Sequence, residues 1–202
     1  MRVGVFGGTF DPVHYGHLLL AECCREQARL DQVWFLPAAV PPHKQQRQLA
    51  PAAQRIEMLE LGISGHSAFS VSSHEADRGG VNYTVDTLSR FKAEDAQREL
   101  FFLMGADSLA DLPNWKDPGR LCEIAMPLVV ARPDQKLDWE TLATLVPRER
   151  LAEIRRQQVQ MPLVDLSSSE IRRRVQERLS IRYRTPRAVE KYIETHGLYR
   201  SG

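Results

Sequence analysis

The chain predicts an α/β protein: a doubly wound parallel sheet with helices on both faces. Two patterns carry this. Short apolar runs closed by glycine or proline alternate with longer stretches of helix-forming residues along most of the chain. Strands separated by helices return through right-handed crossovers, which lay the strands parallel and put helices on both sides. Length agrees. At roughly 150 residues per domain, 202 residues suit one domain, 1–202, ending in a small helical part.

Each element has a local reason. Arg2 to Phe6 is an apolar run stopped by Gly7-Gly8, as a buried strand ending in a tight turn would be. Gly16 to Arg29 favours helix, with Leu18, Leu19, Ala21 and Ala28 on its apolar side. Gln32 to Leu36 is a second strand closed by Pro37. Residues 37–51 carry Pro37, Pro41, Pro42 and Pro51 without periodicity, which predicts a long loop of the functional kind.

Ala52 to Gly62 reads as helix, Phe69 to Ser72 as strand, and Gly79-Gly80 as a turn before a helix over Thr84 to Lys92. Leu100 to Met104, stopped at Gly105, and Ile124 to Ala131 are further strands. Residues 132–160 are charged and proline-punctuated, an insertion with short helices over Trp139 to Leu145 and Arg148 to Arg156. Met161 to Leu166 is expected as a sixth strand, followed by helices over Ser168 to Arg178 and Pro186 to Thr195.

Charge and cysteines narrow the function. Lys plus Arg number 27 against 26 Asp plus Glu, so no overall field invites nucleic acid or an anionic membrane, and anion binding must be local. Cys23, Cys24 and Cys122 form no Cys-x-x-Cys pair, which argues against a disulfide framework or a zinc cluster. The opening Met-Arg-Val-Gly-Val-Phe is too short for a signal peptide or membrane span, so a cytoplasmic protein is expected. A homo-oligomer stays open.

In doubly wound sheets ligands bind beyond the carboxyl ends of the strands. There the first loop reads Gly7-Gly8-Thr9-Phe10-Asp11-Pro12-Val13-His14-Tyr15-Gly16-His17. The paired glycines let backbone N–H groups approach an anion, and the helix start adds partial positive charge. His14 and His17, three apart, can face one side of the first turn, and Gly16 leaves room against the backbone. A dinucleotide fingerprint is missing, since Phe6 and Thr9 stand where glycines are needed and Pro37-Ala38 follow the second strand in place of an acid. A P-loop would need Gly-Lys-Ser/Thr. Asp11, His14 and His17 lack the four-residue histidine spacing of helical zinc sites.

This loop resembles the signature of the His-x-Gly-His nucleotidyltransferases, and its wider string resembles bacterial nicotinate-nucleotide adenylyltransferases. Four further segments agree: Pro41-Pro42-His43-Lys44, Tyr83 to Leu88, Gly105 to Leu109 with Trp115-Lys116, and Leu166 to Arg172; Tyr192-Ile193 and Gly197 to Arg200 fit as well. The resemblance covers essentially the whole chain. It departs at Leu166 and Ser169, where the family usually has Ile and Thr, changes that keep apolar and hydroxyl character.

The resemblance implies a Rossmann-like fold, with 167–202 completing the ATP site. It implies transfer of an adenylyl group from ATP to nicotinic acid mononucleotide. His14, His17, Lys44 and Arg172 would act on the ATP phosphates. Gly7, Gly8, Thr9, Phe10, Gly16, Gly105, Asp107, Arg132, Ser167 and Ser168 would complete ATP binding. Thr84 would meet the nicotinate carboxylate, Trp115 would stack on the pyridine ring, and Lys116 would favour acid over amide. Magnesium would arrive with ATP, with no metal ligands from the chain. Nicotinamide mononucleotide or phosphopantetheine as acceptor, and ATP sensing without turnover, are the competing readings.

Overall fold

The computed structural model describes residues 1–38, 49–80, 82–131 and 137–200. In chain order its elements are β1 (Arg2–Gly8), α1 (Tyr15–Gln27), β2 (Gln32–Pro37), α2 (Ala52–Ile63), β3 (Phe69–Val71), α3 (His74–Arg78), α4 (Thr84–Glu94) and β4 (Glu99–Gly105). There follow α5 (Ala106–Asp111), a 3-10 turn at Leu112–Asn114, α6 (Pro118–Ile124), β5 (Ala125–Ala131), α7 (Trp139–Ala143), α8 (Arg148–Arg156), β6 (Val159–Gln160), α9 (Ser168–Gln176) and α10 (Arg187–Thr195).

The strands form one sheet in the order β3-β2-β1-β4-β5-β6. β1 runs parallel to β4, β4 to β5 and β5 to β6, with Val3 opposite Leu100 and Met104 opposite Val129. This is the doubly wound order, reversing direction between β1 and β4. Among the described residues no helix is long and apolar enough to cross a membrane.

The chain packs as two compact units. The first comprises Met1–Gly7, Leu20–Trp34 and Asn82–Leu163. Its core is Val3, Val5, Val33, Leu88, Phe91, Leu100 to Met104 and Leu128 to Val130, all buried. Continuous apolar runs in β4 and β5 suit strands covered on both faces. Arg150 on α8 donates to the carbonyls of Cys122 and Ala125, tying that helix to the start of β5. Gln27 and Gln160 exchange side-chain and backbone hydrogen bonds at 2.7 and 3.0 Å, which holds β6 at the edge.

The second unit comprises Gly8–Leu19, Phe35–Val81 and Val164–Gly202. Phe10, Val13, Phe35, Met58, Leu59, Ile171, Val189 and Ile193 form its core. Ser167 caps α9 by accepting from the Glu170 N–H at 3.1 Å, the reading that the serine run and following glutamate invite.

The sixth strand differs from expectation. It is Val159–Gln160, and Met161 to Leu166 is not strand. The Met161 N–H still reaches the Ala131 carbonyl at 3.2 Å, but Ala131 is the last residue of β5, so the described ladder ends with its partner strand.

Candidate active site

The loop after β1 and the start of α9 gather one set of candidate residues, all within the second unit. Phe10 has φ +48 and lays its ring against Gly8, where an added Cβ would lie 2.8 Å from the ring edge. Glycine at position 8 is therefore a packing requirement. The Phe10 ring is 1% exposed and also meets Phe35 and His17 edge-on, so Phe10 can offer a ligand only its backbone.

His14 and His17 come together. Their rings stack with centroids 3.7 Å apart and planes 23° from parallel. His17 Nδ1 accepts from the His14 N–H at 3.3 Å, which puts the ring proton on Nε2 in the neutral form. His14 is 6% exposed. A Cβ on Gly16 would sit 3.0 Å from His14 Nδ1, so the space expected there for a ligand is taken by the His14 ring.

The loop's carbonyls are held from outside. Arg55 donates to Thr9, Arg172 to Asp11, Ser168 to Pro12 and Thr185 to Val13, at 2.8, 2.6, 2.9 and 2.6 Å. In a trans peptide the N–H points opposite to the C=O. The Phe10 and Val13 N–H groups therefore point away from the held Thr9 and Pro12 carbonyls, whereas Pro12 has no N–H and the His14 N–H goes to His17 Nδ1. Arg172 also meets Ser169 at 3.2 Å and lies 3.7 Å from the Asp11 carboxylate, which is 1% exposed. The helix start is thus capped by Ser167, while Ser168 and Arg172 grip the loop.

A separate set of candidate residues belongs to the first unit. Gly105 ends β4 and is the N-cap of α5 without a side-chain bond; Asp107 lies in that helix's first turn and is exposed. Asp107 is therefore not the cap of α5, and its carboxylate faces solvent. Thr84 is the first residue of α4. Trp115 is half-buried, donates from Nε1 to Asp111 at 3.1 Å and meets Phe102 edge-on. Lys116 pairs with Asp86, in the first turn of α4, at 2.9 Å and lies 4.7 Å from the centre of the Tyr83 ring. The structure thus gathers Tyr83, Thr84, Asp86 and Lys116. Gly7 ends the first unit's share of β1 and touches Phe102 only at ordinary distance. Lys44 and Arg132 lie outside the described residues.

Comparison with known proteins decides the family. The profile of the cytidylyltransferase-like family matches residues 5–174. A Thermomicrobium roseum protein named "probable nicotinate-nucleotide adenylyltransferase" is 46% identical over 200 residues, covering 99% of this chain and 92% of its own. A Thermus thermophilus protein of the same name is 48% identical over 200 residues, covering 99% and 100%. The chain belongs to the nicotinate-nucleotide adenylyltransferases of the cytidylyltransferase-like family.

The fold of this adenylyltransferase family member has a solved counterpart. Plasmodium falciparum nicotinic acid mononucleotide adenylyltransferase, in a structure complexed with NaAD, superposes with a TM-score of 0.78. It is 18% identical and covers 98% of this chain and 97% of its own. That likeness speaks for the fold.

Four residues escape a reading by sequence alone. Arg55, 1% exposed, holds Thr9. Tyr199 donates to Asp11 Oδ1 at 2.6 Å, and Asp11 also accepts from the Ala50 N–H at 3.3 Å. Asp86 partners Lys116. Tyr83, Asp86 and Tyr199 fall within the segments that resemble the family, but their partners are distant in sequence. Arg55 falls in none of them.

Proposed function

We infer that the protein transfers the adenylyl group of ATP to nicotinic acid mononucleotide, giving deamido-NAD and pyrophosphate in NAD biosynthesis. The observation that carries this is the loop of His14 and His17, its carbonyls held by Arg55, Arg172, Ser168 and Thr185, in a chain nearly half identical to adenylyltransferases.

The chemistry fits residues of this kind. A phosphate oxygen of the mononucleotide attacks the ATP α-phosphorus, and the bond from that phosphorus to the bridging oxygen of the β-phosphate breaks. Pyrophosphate leaves with the electron pair. The attacking phosphate has a second pKa of about 6, so it is ionised near neutrality and needs no base. The site must supply in-line placement and charge stabilisation.

In this reading His14 and His17 donate to the triphosphate, and the Gly7-Gly8-Thr9 backbone with Phe10 and Gly16 shapes its cradle. Ser167 and Ser168 at the α9 start and the Arg172 guanidinium bind phosphate oxygens, as does Lys44. Gly105 and Asp107 meet the ribose, and Arg132 the adenine. Thr84 receives the nicotinate carboxylate through backbone and hydroxyl, Trp115 stacks on the pyridine ring, and Lys116 supports the acid form. Magnesium belongs to the same reading, carried on the triphosphate, where it offsets phosphate charge. Among the described residues no cluster of three or more His, Cys, Asp or Glu could cage it. A cytoplasmic location goes with the substrates.

The test is pyrophosphate release with ATP and magnesium against three acceptors: nicotinic acid mononucleotide, nicotinamide mononucleotide and phosphopantetheine. Strong preference for the first is expected. Equal use of acid and amide keeps the reaction and removes the selectivity roles of Thr84 and Lys116. ATP binding without release for any acceptor makes the protein a sensor.

A further inference from the structure

Among the described residues Arg55 is the largest fully buried side chain, and its three donor nitrogens go to three separate stretches of backbone. Nε donates to Ala50 at 3.0 Å, Nη1 to Thr9 at 2.8 Å and Nη2 to Ala38 at 2.8 Å. Ala38 and Ala50 stand on either side of residues 39–48, and Thr9 belongs to the loop that carries the histidines.

Two backbone amides double these links. The Ala38 N–H donates to the Gly8 carbonyl at 3.0 Å, and the Ala50 N–H to Asp11 Oδ1 at 3.3 Å. The Gly8 to Asp11 turn is thus stitched to both flanks of the proline-rich segment, with Arg55 at the centre.

A buried guanidinium is a costly way merely to anchor a helix. Burial disfavours its charge, and the pKa of Arg55 is lowered for that reason first, with Asp11 and then Tyr199 opposing. Apolar side chains of similar size commonly pack such a site at no loss of stability. What they cannot do is hold three carbonyls that converge from different directions. The planar, five-donor fork of arginine does this, and the point-like ammonium of lysine does it poorly.

We propose that Arg55 is a positioning residue for adenylyl transfer, setting the Gly8–Phe10 turn and the flanks of residues 39–48 in the geometry that receives the ATP phosphates. It touches no substrate and acts through Thr9, Ala38 and Ala50. The proposal rests on the assignment of this loop to ATP.

The experiment is steady-state kinetics of Arg55→Lys beside Leu59→Ala, a fully buried apolar position on the same helix, with melting temperatures for both. Arg55→Lys is expected to raise the KM for ATP roughly tenfold, the loss of one hydrogen bond from a charged donor, and to leave the KM for nicotinic acid mononucleotide unchanged. Leu59→Ala is expected to lower the melting temperature and leave both constants alone. An unchanged ATP KM in folded Arg55→Lys overturns the proposal, as does an equal rise in Leu59→Ala.

Should Arg55→Lys not fold, the wild-type protein decides. Its Arg55 Nε–H resonance should shift on titration with ATP and stay put with the mononucleotide; a resonance indifferent to ATP overturns the proposal. If the wild type releases no pyrophosphate at all, it is the assigned reaction that fails.

Discussion

Arg172 donates from Nη1 to the Asp11 carbonyl at 2.6 Å, a contact between residues 161 apart in the chain. The same fork carries the charge proposed to meet ATP phosphates. Arg172→Lys keeps the charge and loses the bidentate geometry. Its kcat/KM for ATP is expected to fall roughly 10- to 100-fold, about 1.4–2.7 kcal/mol. Initial rates across ATP concentration measure this, and an undiminished kcat/KM leaves Arg172 a loop tether and nothing more.

His17 presents Nε2 as a donor because Nδ1 accepts from the His14 amide. His17→Ala is expected to lower turnover roughly 100-fold or more, the effect of removing a donor that acts on the transition state. Acceptor KM should move little. Near-normal kcat in that variant takes His17 out of the chemistry.

Trp115 is held by Asp111 and Phe102 with its ring half-buried. Stacking of this kind strengthens binding in the ground state and the transition state alike. Trp115→Ala should therefore raise the acceptor KM with kcat nearly unchanged. A defect confined to kcat contradicts the stacking role.

The Lys116 ammonium is shared with Asp86 at 2.9 and 3.1 Å, so part of its charge is already balanced. Asp86→Asn should leave more of that charge for the acceptor and widen the preference for the acid over the amide; Lys116→Ala should narrow it. The ratio of kcat/KM for the two mononucleotides is the measure. If neither variant changes it, discrimination lies in the backbone at Thr84.

Stability should fall in alkali. Tyr192 donates to Glu57 at 2.7 Å, and burial first, then that hydrogen bond, pushes its phenol up to about 12. Burial and then the Asp11 charge raise Tyr199 as well. A group raised by folding contributes stability that is complete below its unfolded value near 10 and is lost as pH climbs through the folded value. Resistance to urea unfolding is expected to fall between about pH 10 and 12, less steeply in Tyr192→Phe. A wild-type curve that holds level there rules out this linkage.

Much of the fold is legible because its signals are local. Glycine and proline close the apolar runs of β1, β2 and β4, and the expected helix over Arg148 to Arg156 matches α8 to the residue. Met161 to Leu166 misleads because Met161, Leu163 and Val164 are apolar as strand residues would be, while the partner strand β5 ends at Ala131, opposite Gln160. The helix α3 carries little signal at its length, since short helices depend on tertiary packing more than on propensity.

Within the candidate site, residue type exposes the histidines and glycines. It does not expose Arg55, which reads as one more charged residue on an amphipathic helix until the fold brings Thr9, 46 positions away, within reach. Tyr199 and Asp86 are hidden for the same reason: each matters through a partner distant in sequence.

The tie from Tyr199 to Asp11 spans 188 positions. A ribosome adding roughly 5–20 residues per second needs about 10–40 s to cover that distance. For most of that interval the nascent first loop has its glycines and histidines without the arginine that grips the Asp11 carbonyl, and for all of it without the hydroxyl that anchors the Asp11 carboxylate. These two anchors of the first loop are therefore in place only after nearly the whole chain has been synthesised.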